Sequence, residues 1–368
     1  MVKAVRIVVI GGGIAGISIA AELSRDHDVT LLEMEQQLAH HTTGRSAALY
    51  LGSYGNSNIQ TLTRKSFDIY TELSNEYGYP LLSPRGMVQI LDHQQLHELD
   101  ETLAKHPTME VISIDALRDI APYVKHDLVG AVLHDNSGYD IEVAGLHQTY
   151  VRRFTANGGT IEKSSEVSEI TFNSNGTSEV RTPHQKHHAD LVVNASGAWG
   201  NVVAERAGCA TIPLTPLRRT IFTSKLSQSY APGPMVLRHP EEFYFRVDRG
   251  TVLGSPADET PSIPCDAKPE EIDVAVAIEA INEFTTLNIR SVESAWAGLR
   301  TFTSDRSPAV GSNPDQPHFF WFCGQGGYGI QMAPKLAVLA ADVINRRANA
   351  ADTSLAMQLS PQRFSSHP

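Results

Sequence analysis

The sequence predicts an α/β protein in which a doubly wound domain is interleaved with an α+β lobe built on a mixed or antiparallel sheet. Three observations lead there. An apolar run, a glycine cluster, an apolar helix pattern and a second apolar run follow one another within the first 33 residues. A second strand–glycine–helix pattern stands near the far end of the chain, and short β-patterned segments fill the middle.

Ile7-Val8-Val9-Ile10 shows no polar alternation, as expected of a parallel strand buried on both faces. Gly11 lets the chain turn, Gly13 lets backbone approach a phosphate, and Gly16 lets the following helix pack closely on the strand. That helix, with Ile14 and Ala15 at its start and Ile17, Ile19, Ala20 and Leu23 along it, points its free N–H groups at an anion. The next strand, Val29-Thr30-Leu31-Leu32, ends in Glu33, an acceptor suited to a ribose diol. Glycine turns are common, but strand, glycines, helix, strand and acid in this order read as an adenine-dinucleotide site. Ala189–Asn194 is expected as another buried strand, followed by the small residues Ala195, Ser196 and Gly197. Phe319–Cys323 leads into Gly324–Gly329 and then a helix with Pro334 near its first turn. The two ends of the chain must therefore meet in space.

Between these, Met87–Leu91, Val236–Arg238, Phe243–Val247 and Gly250–Gly254 read as strands of the second lobe, with a tight turn at Asp248-Arg249-Gly250. The expected partition assigns 1–82, 139–213 and 300–368 to the nucleotide domain and 83–138 and 214–299 to the substrate lobe. The tail beyond about residue 350 is expected to be loose.

Composition narrows the function. The 30 basic and 41 acidic residues give a net charge of −11, which argues against nucleic-acid binding. No run is apolar enough to span a membrane, and the apolar start is accounted for by the strand and helix. Cys209, Cys265 and Cys323 form no paired motif, so neither a disulfide framework nor structural zinc is expected, and a cytoplasmic location is. The fifteen histidines fall mostly in expected loops, such as His40-His41 and His187-His188, and no metal is expected. His147, inside a helix pattern, reads as structural.

Five ordered motifs carry a resemblance. They are Gly11–Gly16 with Glu33, Thr42–Ala48, Val192–Trp199, Trp296–Arg300 and Gly324–Gln331. Together they resemble the FAD-dependent amine oxidoreductases of the D-amino-acid oxidase superfamily, from about residue 5 to residue 345, and within it look most like the D-arginine dehydrogenases of bacteria. The resemblance implies a Rossmann-like FAD-binding domain, with a mixed or antiparallel sheet forming the substrate domain. It also implies non-covalent FAD, since the loop Thr301-Phe302-Thr303-Ser304 lacks the cysteine that sarcosine-type oxidases use for a covalent link. The cofactor residues it implies are Gly11, Gly13, Ile14, Ala15, Gly16, Glu33, Thr43, Gly44, Arg45, Ser46, Ala47, Ala48, Val167, Ala195, Gly197, Trp199, Arg300, Gly326, Gly327, Tyr328, Gly329, Ile330 and Gln331. A substrate carboxylate needs a cation that does not titrate, and arginine's planar fork suits it. By resemblance Arg219 and Arg300 supply it, with Arg218 a one-residue alternative, and Tyr54 and Tyr244 stand at the substrate.

The substrate pocket is expected to include Leu49, Leu51, Met87, Gly327 and Ile330. Leu49 and Leu51 replace polar residues of the D-arginine enzymes, and Ser83–Met87 lacks the acid that pairs with a guanidinium there. Losing that partner costs about 1.5–3 kcal/mol. A D-amino acid with a neutral or apolar side chain is therefore expected, unless a loop brings Glu241 or Glu242 into the pocket. The reaction implied is oxidative deamination by hydride transfer from the α-carbon to flavin, giving a 2-oxo acid and ammonia. A quinone, another carrier or oxygen would take the electrons. Two other classes stay open: oxidation of a secondary amine, opine or 2-hydroxy acid on the same scaffold, and a non-catalytic flavoprotein.

Overall fold

A computed structural model describes residues 4–106 and 108–365, so the outermost ends of the first and last expected segments lie outside it. Its first sheet has six strands in the order Ala309–Ser312, Phe319–Cys323, Leu191–Asn194, Arg6–Ile10, Asp28–Leu32 and Thr160–Glu162. All pairs are parallel except the first, which is antiparallel. Val9, Val192 and Phe319 in its central strands are fully buried, as the unbroken apolar runs require.

The helix Ile14–Leu23 packs against Gly329–Ile344 from the opposite end of the sequence and against Val143–Ala156. The far helix begins five residues before Pro334 rather than beside it. Proline has no N–H to give the carbonyl four residues back. That carbonyl, on Ile330, instead accepts the hydroxyl of fully buried Tyr70 at 2.6 Å.

The second sheet has eight strands, and seven lie in the order Thr260–Pro261, Leu214–Tyr230, Phe243–Ser255, Met235–Arg238, Met87–Leu91, Ala131–Asp135 and Glu110–Ile112. The eighth, Ser294–Thr303, pairs with Leu214–Tyr230 off this path. It is mixed, because Met235–Arg238 runs parallel to Met87–Leu91 while the other pairs are antiparallel. Its strands come from 87–135 and 214–303, so position 300 falls inside a strand that continues to Thr303.

Four expectations give way. The turn at Asp248–Gly250 is absent: Phe243–Ser255 is one strand, and a register shift with Arg249 at φ 56° absorbs the irregularity. His187 and His188 lie in the strand Lys186–Ala189 of a small three-stranded antiparallel sheet. Asp190 then separates that strand from Leu191–Asn194, so the run expected from 189 to 194 is divided. The tail is ordered as a helix, Ala350–Leu359, N-capped by Asn349, followed by a 3₁₀ turn at Pro361–Phe364. Leu355 and Leu359 bury into the first core, and only 366–368 lie outside the described residues.

Candidate functional site

A cleft runs along the C-terminal ends of the parallel strands and reaches the second sheet. Gly11 has φ 107°, and a methyl group there would sit 2.6 Å from the Ala195 carbonyl oxygen. At Gly16 it would sit 1.8 Å from the Gly11 carbonyl oxygen, so the helix touches the turn through backbone alone. The helix has no side-chain N-cap. Thr43 Oγ1 accepts the Ile14 N–H at 3.0 Å, and the first turn otherwise faces the cleft, as a phosphate site requires. Glu33 accepts the N–H groups of Gly12 at 2.6 Å and Glu35 at 2.8 Å. Its carboxylate keeps further lone pairs for a ribose.

Of the residues expected at the cofactor, most line this cleft: Gly11, Gly13, Ile14, Ala15, Glu33, Thr43, Arg45, Ser46, Ala47, Val167, Ala195, Gly197, Trp199, Arg300, Gly326, Gly327, Gly329 and Ile330. Gly16, Gly44, Ala48, Tyr328 and Gln331 do not. Gly16 and Gly44 serve the turns, where an added methyl group at Gly44 would meet the Ala39 carbonyl at 2.5 Å. Ala48 lies on a neighbouring polar hollow. The Gln331 amide accepts the Leu51 N–H and donates to Thr63, so it is already committed. Arg45 also uses its guanidinium elsewhere, on Asp266 and the carbonyls of Ala267 and Ala297.

Sequence reasoning passed over Gly12, His41, Thr301, Arg206 and Gln325, all of which line the cleft. Arg206 donates to the Val167 carbonyl and pairs with Glu166, holding that extended segment. No local pattern reveals such a contact. His41 packs against Trp199, with ring centroids 4.6 Å apart and the rings tilted by 44°, and lies 3.0 Å from Glu35; burial lowers its pKa against that carboxylate's pull. With exposed His40, these form the one group of three potential metal ligands among the described residues. His41 Nδ1, Arg219 Nη1, Thr301 Oγ1 and Gln325 Nε2 are buried without a hydrogen-bond partner, and all four residues line the cleft. Buried polar atoms are seldom left so unless a ligand meets them.

At the end nearest the second sheet, strand register decides which arginines meet. Leu214–Tyr230 pairs with Ser294–Thr303 so that Arg219 lies opposite Gly298 and Leu217 opposite Arg300. Residues two apart share a face, which puts Arg219 and Arg300 together and Arg218 behind. Arg218 is bound by Glu270, Asp273 and Asp258. Arg219 is 3% exposed; its Nε donates to the Asp258 carbonyl at 2.8 Å, and its Nη1 has no partner. The Arg300 guanidinium makes no hydrogen bond to protein among the described residues. Burial works against its charge, yet neighbouring Tyr244, Tyr54 and Glu241 raise its pKa on balance.

Tyr244 is 7% exposed, and its buried hydroxyl has no partner. The Tyr54 hydroxyl donates to Glu241 Oε1 at 2.7 Å; burial and then the Glu241 charge push its pKa well up. An acid therefore stands beside the arginines after all: Glu241 arrives from the turn before Phe243–Ser255, in a backbone conformation of φ 112°. The pocket assignment divides. Gly327 and Ile330 line the cleft, whereas Leu49, Leu51 and Met87 do not. Leu51 and Met87 are buried in an apolar cluster that includes Tyr244, with Leu49 and Tyr54 packed against it. Tyr54 and Tyr244 do not line the cleft either; they lie just behind the arginines, with the Arg219 guanidinium 5.8 Å from the centre of the Tyr244 ring, and the three apolar residues pack with them.

A family model described as DAO, FAD dependent oxidoreductase, matches residues 6–343. The 4-methylaminobutanoate oxidase (formaldehyde-forming) of Paenarthrobacter nicotinovorans is 25% identical over 397 residues, covering 99% of this chain and 46% of that protein. Human mitochondrial sarcosine dehydrogenase is 24% identical over 351 residues, covering 89% and 38%. The chain thus spans less than half the length of these two relatives. The crystal structure of glycine oxidase from Geobacillus kaustophilus superposes with a TM-score of 0.85 at 19% identity, covering 100% of both chains, a likeness of fold. These relatives are named for N-methyl amines and glycine, not D-arginine, so the likeness the comparisons support is to the wider family.

Proposed function

This chain belongs to the DAO family of FAD-dependent oxidoreductases, and we propose that it oxidises the amine of an α-amino acid with a neutral or apolar side chain, D-isomers preferred. The observation that carries this is the pair Arg219 and Arg300 on one face, with Arg219 Nη1 buried and unpartnered and the Arg300 guanidinium making no hydrogen bond to protein among the described residues. A non-catalytic flavoprotein has no need of such a clamp, and a carboxylate is the group it fits.

The cofactor is FAD, and the cleft fits it: the glycine turn, the first turn of the helix after it, Glu33 and the orphaned polar atoms all lie along it. When bound, FAD supplies a two-electron acceptor, and the protein supplies orientation and electrostatics. Arg219 and Arg300 bind the substrate carboxylate and fix where the α-carbon sits. The free Tyr244 hydroxyl adds a donor to the same carboxylate. The Tyr54 hydroxyl already donates to Glu241, so its oxygen is left to accept an amine N–H. Glu241 favours positive charge on that nitrogen while the substrate binds. The rings of Tyr54 and Tyr328, 5.0 Å apart, together with Phe302, exclude water from this end. The imine that leaves is hydrolysed in water to a 2-oxo acid and ammonia.

The apolar cluster behind the tyrosines and the absence of an acid in Ser83–Met87 support a neutral side chain, since the one acid a loop does bring in, Glu241, is taken up by the Tyr54 hydroxyl. A second reading, an N-methylated amino acid, is favoured by the names of the relatives. The same carboxylate clamp would serve it, with an aldehyde and an amine as products. Anaerobic flavin bleaching separates them, using D- and L-methionine, leucine, phenylalanine and arginine beside glycine and sarcosine. Fastest bleaching by a neutral D-amino acid is expected. Sarcosine as the fastest substrate selects the second reading, and fastest bleaching by D-arginine refutes the neutral pocket.

A further inference from the structure

Behind Arg219 stands a second ion pair that the proposed reaction does not use. Glu259 lies 3.4 Å from Arg219 Nη2, at the edge of hydrogen-bonding distance. The same carboxylate is held far better by Arg306, whose Nη2 reaches Oε1 at 2.7 Å and whose Nη1 reaches Oε2 at 3.1 Å. Arg306 is itself oriented, because its guanidinium lies 3.9 Å from the centre of the Phe302 ring. Its backbone adopts φ 59°, a conformation arginine rarely takes. Asp258, next to Glu259, is pinned by the N–H and hydroxyl of Thr220 at 2.6 and 3.0 Å, and its carbonyl accepts Arg219 Nε.

We propose that Arg306 is a positioning residue that keeps the Glu259 carboxylate from closing onto Arg219, so that Arg219 Nη1 stays open to the substrate carboxylate. The inference rests on the proposed role of Arg219 as a substrate clamp. A carboxylate has two oxygens and prefers a planar two-pronged partner. With Arg306 supplying both prongs, Arg219 receives only the weak remainder. Remove that fork and the nearest guanidinium is Arg219, whose pairing with Glu259 would fill the donor meant for substrate. Burial works against the charge on Glu259, but Arg306, Arg219 and Arg300 hold its pKa below the usual carboxylate value, so it stays an anion able to compete. Arg306 is half exposed, which makes its replacement compatible with folding.

The test titrates sodium benzoate into oxidised, FAD-loaded protein and reads the change in visible flavin absorbance. R306K keeps the charge but loses the fork and the stacking on Phe302. Both R306K and R306M are expected to weaken benzoate binding about tenfold, one charge-assisted hydrogen bond's worth. The double variant R306M/E259Q, which removes the competing anion, is expected to return to within about threefold of the parent. If Arg306 matters only as a positive charge, R306K binds like the parent, and the inference is overturned. Failure of E259Q to rescue R306M also overturns it. R219A separates the underlying reading: benzoate binding unchanged in that variant removes the clamp itself.

Discussion

Replacing Arg300 by alanine isolates the chemistry assigned to the cleft. The Arg300 guanidinium gives no hydrogen bond to protein among the described residues, so its whole fork is available to a carboxylate. Truncating one partner of a desolvated charge pair costs about 2–5 kcal/mol. At about 1.4 kcal/mol per tenfold, kcat/KM should fall roughly 30- to several-thousand-fold. The upper half of that range is expected, because Glu241 then stands beside the substrate carboxylate with one cation fewer to offset it. Lysine at 300 keeps the charge without the planar fork and should recover part of the loss. FAD should stay bound, since the phosphate turn and Glu33 lie at the other end of the cleft. The assay is anaerobic flavin reduction with the best substrate of the panel, with apparent affinity and limiting rate fitted separately. Both should worsen, because the residue contributes to binding and to placement of the α-carbon. A kcat/KM within about threefold of the parent would refute the carboxylate clamp.

Gly16→Ala should yield protein that fails to retain FAD, because a methyl group 1.8 Å from the Gly11 carbonyl oxygen forces helix and turn apart; the ratio of flavin to protein absorbance checks this. Acid precipitation should release the flavin into the supernatant, and colour remaining in the washed pellet would show a covalent link. His147 donates from Nε2 to the Gly12 carbonyl at 3.0 Å, and burial lowers its pKa from 6.5. A base with a depressed folded pKa adds stability above the unfolded value, and that stability is lost as pH falls through the folded one. Melting temperatures of the parent should therefore drop below pH 6.5, and His147→Gln should flatten that slope; an unchanged slope would show that other groups set it.

The nucleotide end was legible because its requirements are local. A turn with positive φ, a close helix–strand contact and an acid closing the next strand each select a residue type within a short window. Glu33, Gly11 and Gly16 could be read without a fold for that reason. Arg218 remained a one-residue alternative to Arg219 in the sequence, since neighbours on a strand differ only in the face they take, and the register with Ser294–Thr303 puts Arg219 on the face of Arg300. Leu51 and Met87 were misplaced for a related reason: apolar character says that a side chain is buried, not which cavity it borders. The ordered tail was missed because its helix Ala350–Leu359 is weakly patterned and gains its stability by packing on the first core.

By itself the sequence determined the doubly wound sheet, the dinucleotide turn and the arginines proposed to meet a carboxylate. These depend on backbone dihedrals, burial periodicity and side-chain chemistry, which neighbouring residues set. Only the tertiary structure decided which charges stand around the two arginines. Glu241 reaches Tyr54 from 187 residues away, and Glu259 reaches both Arg219 and Arg306 across a strand pair. A charge acts over a few ångströms whatever its separation along the chain, so strand register and the path of each loop decide which charges meet.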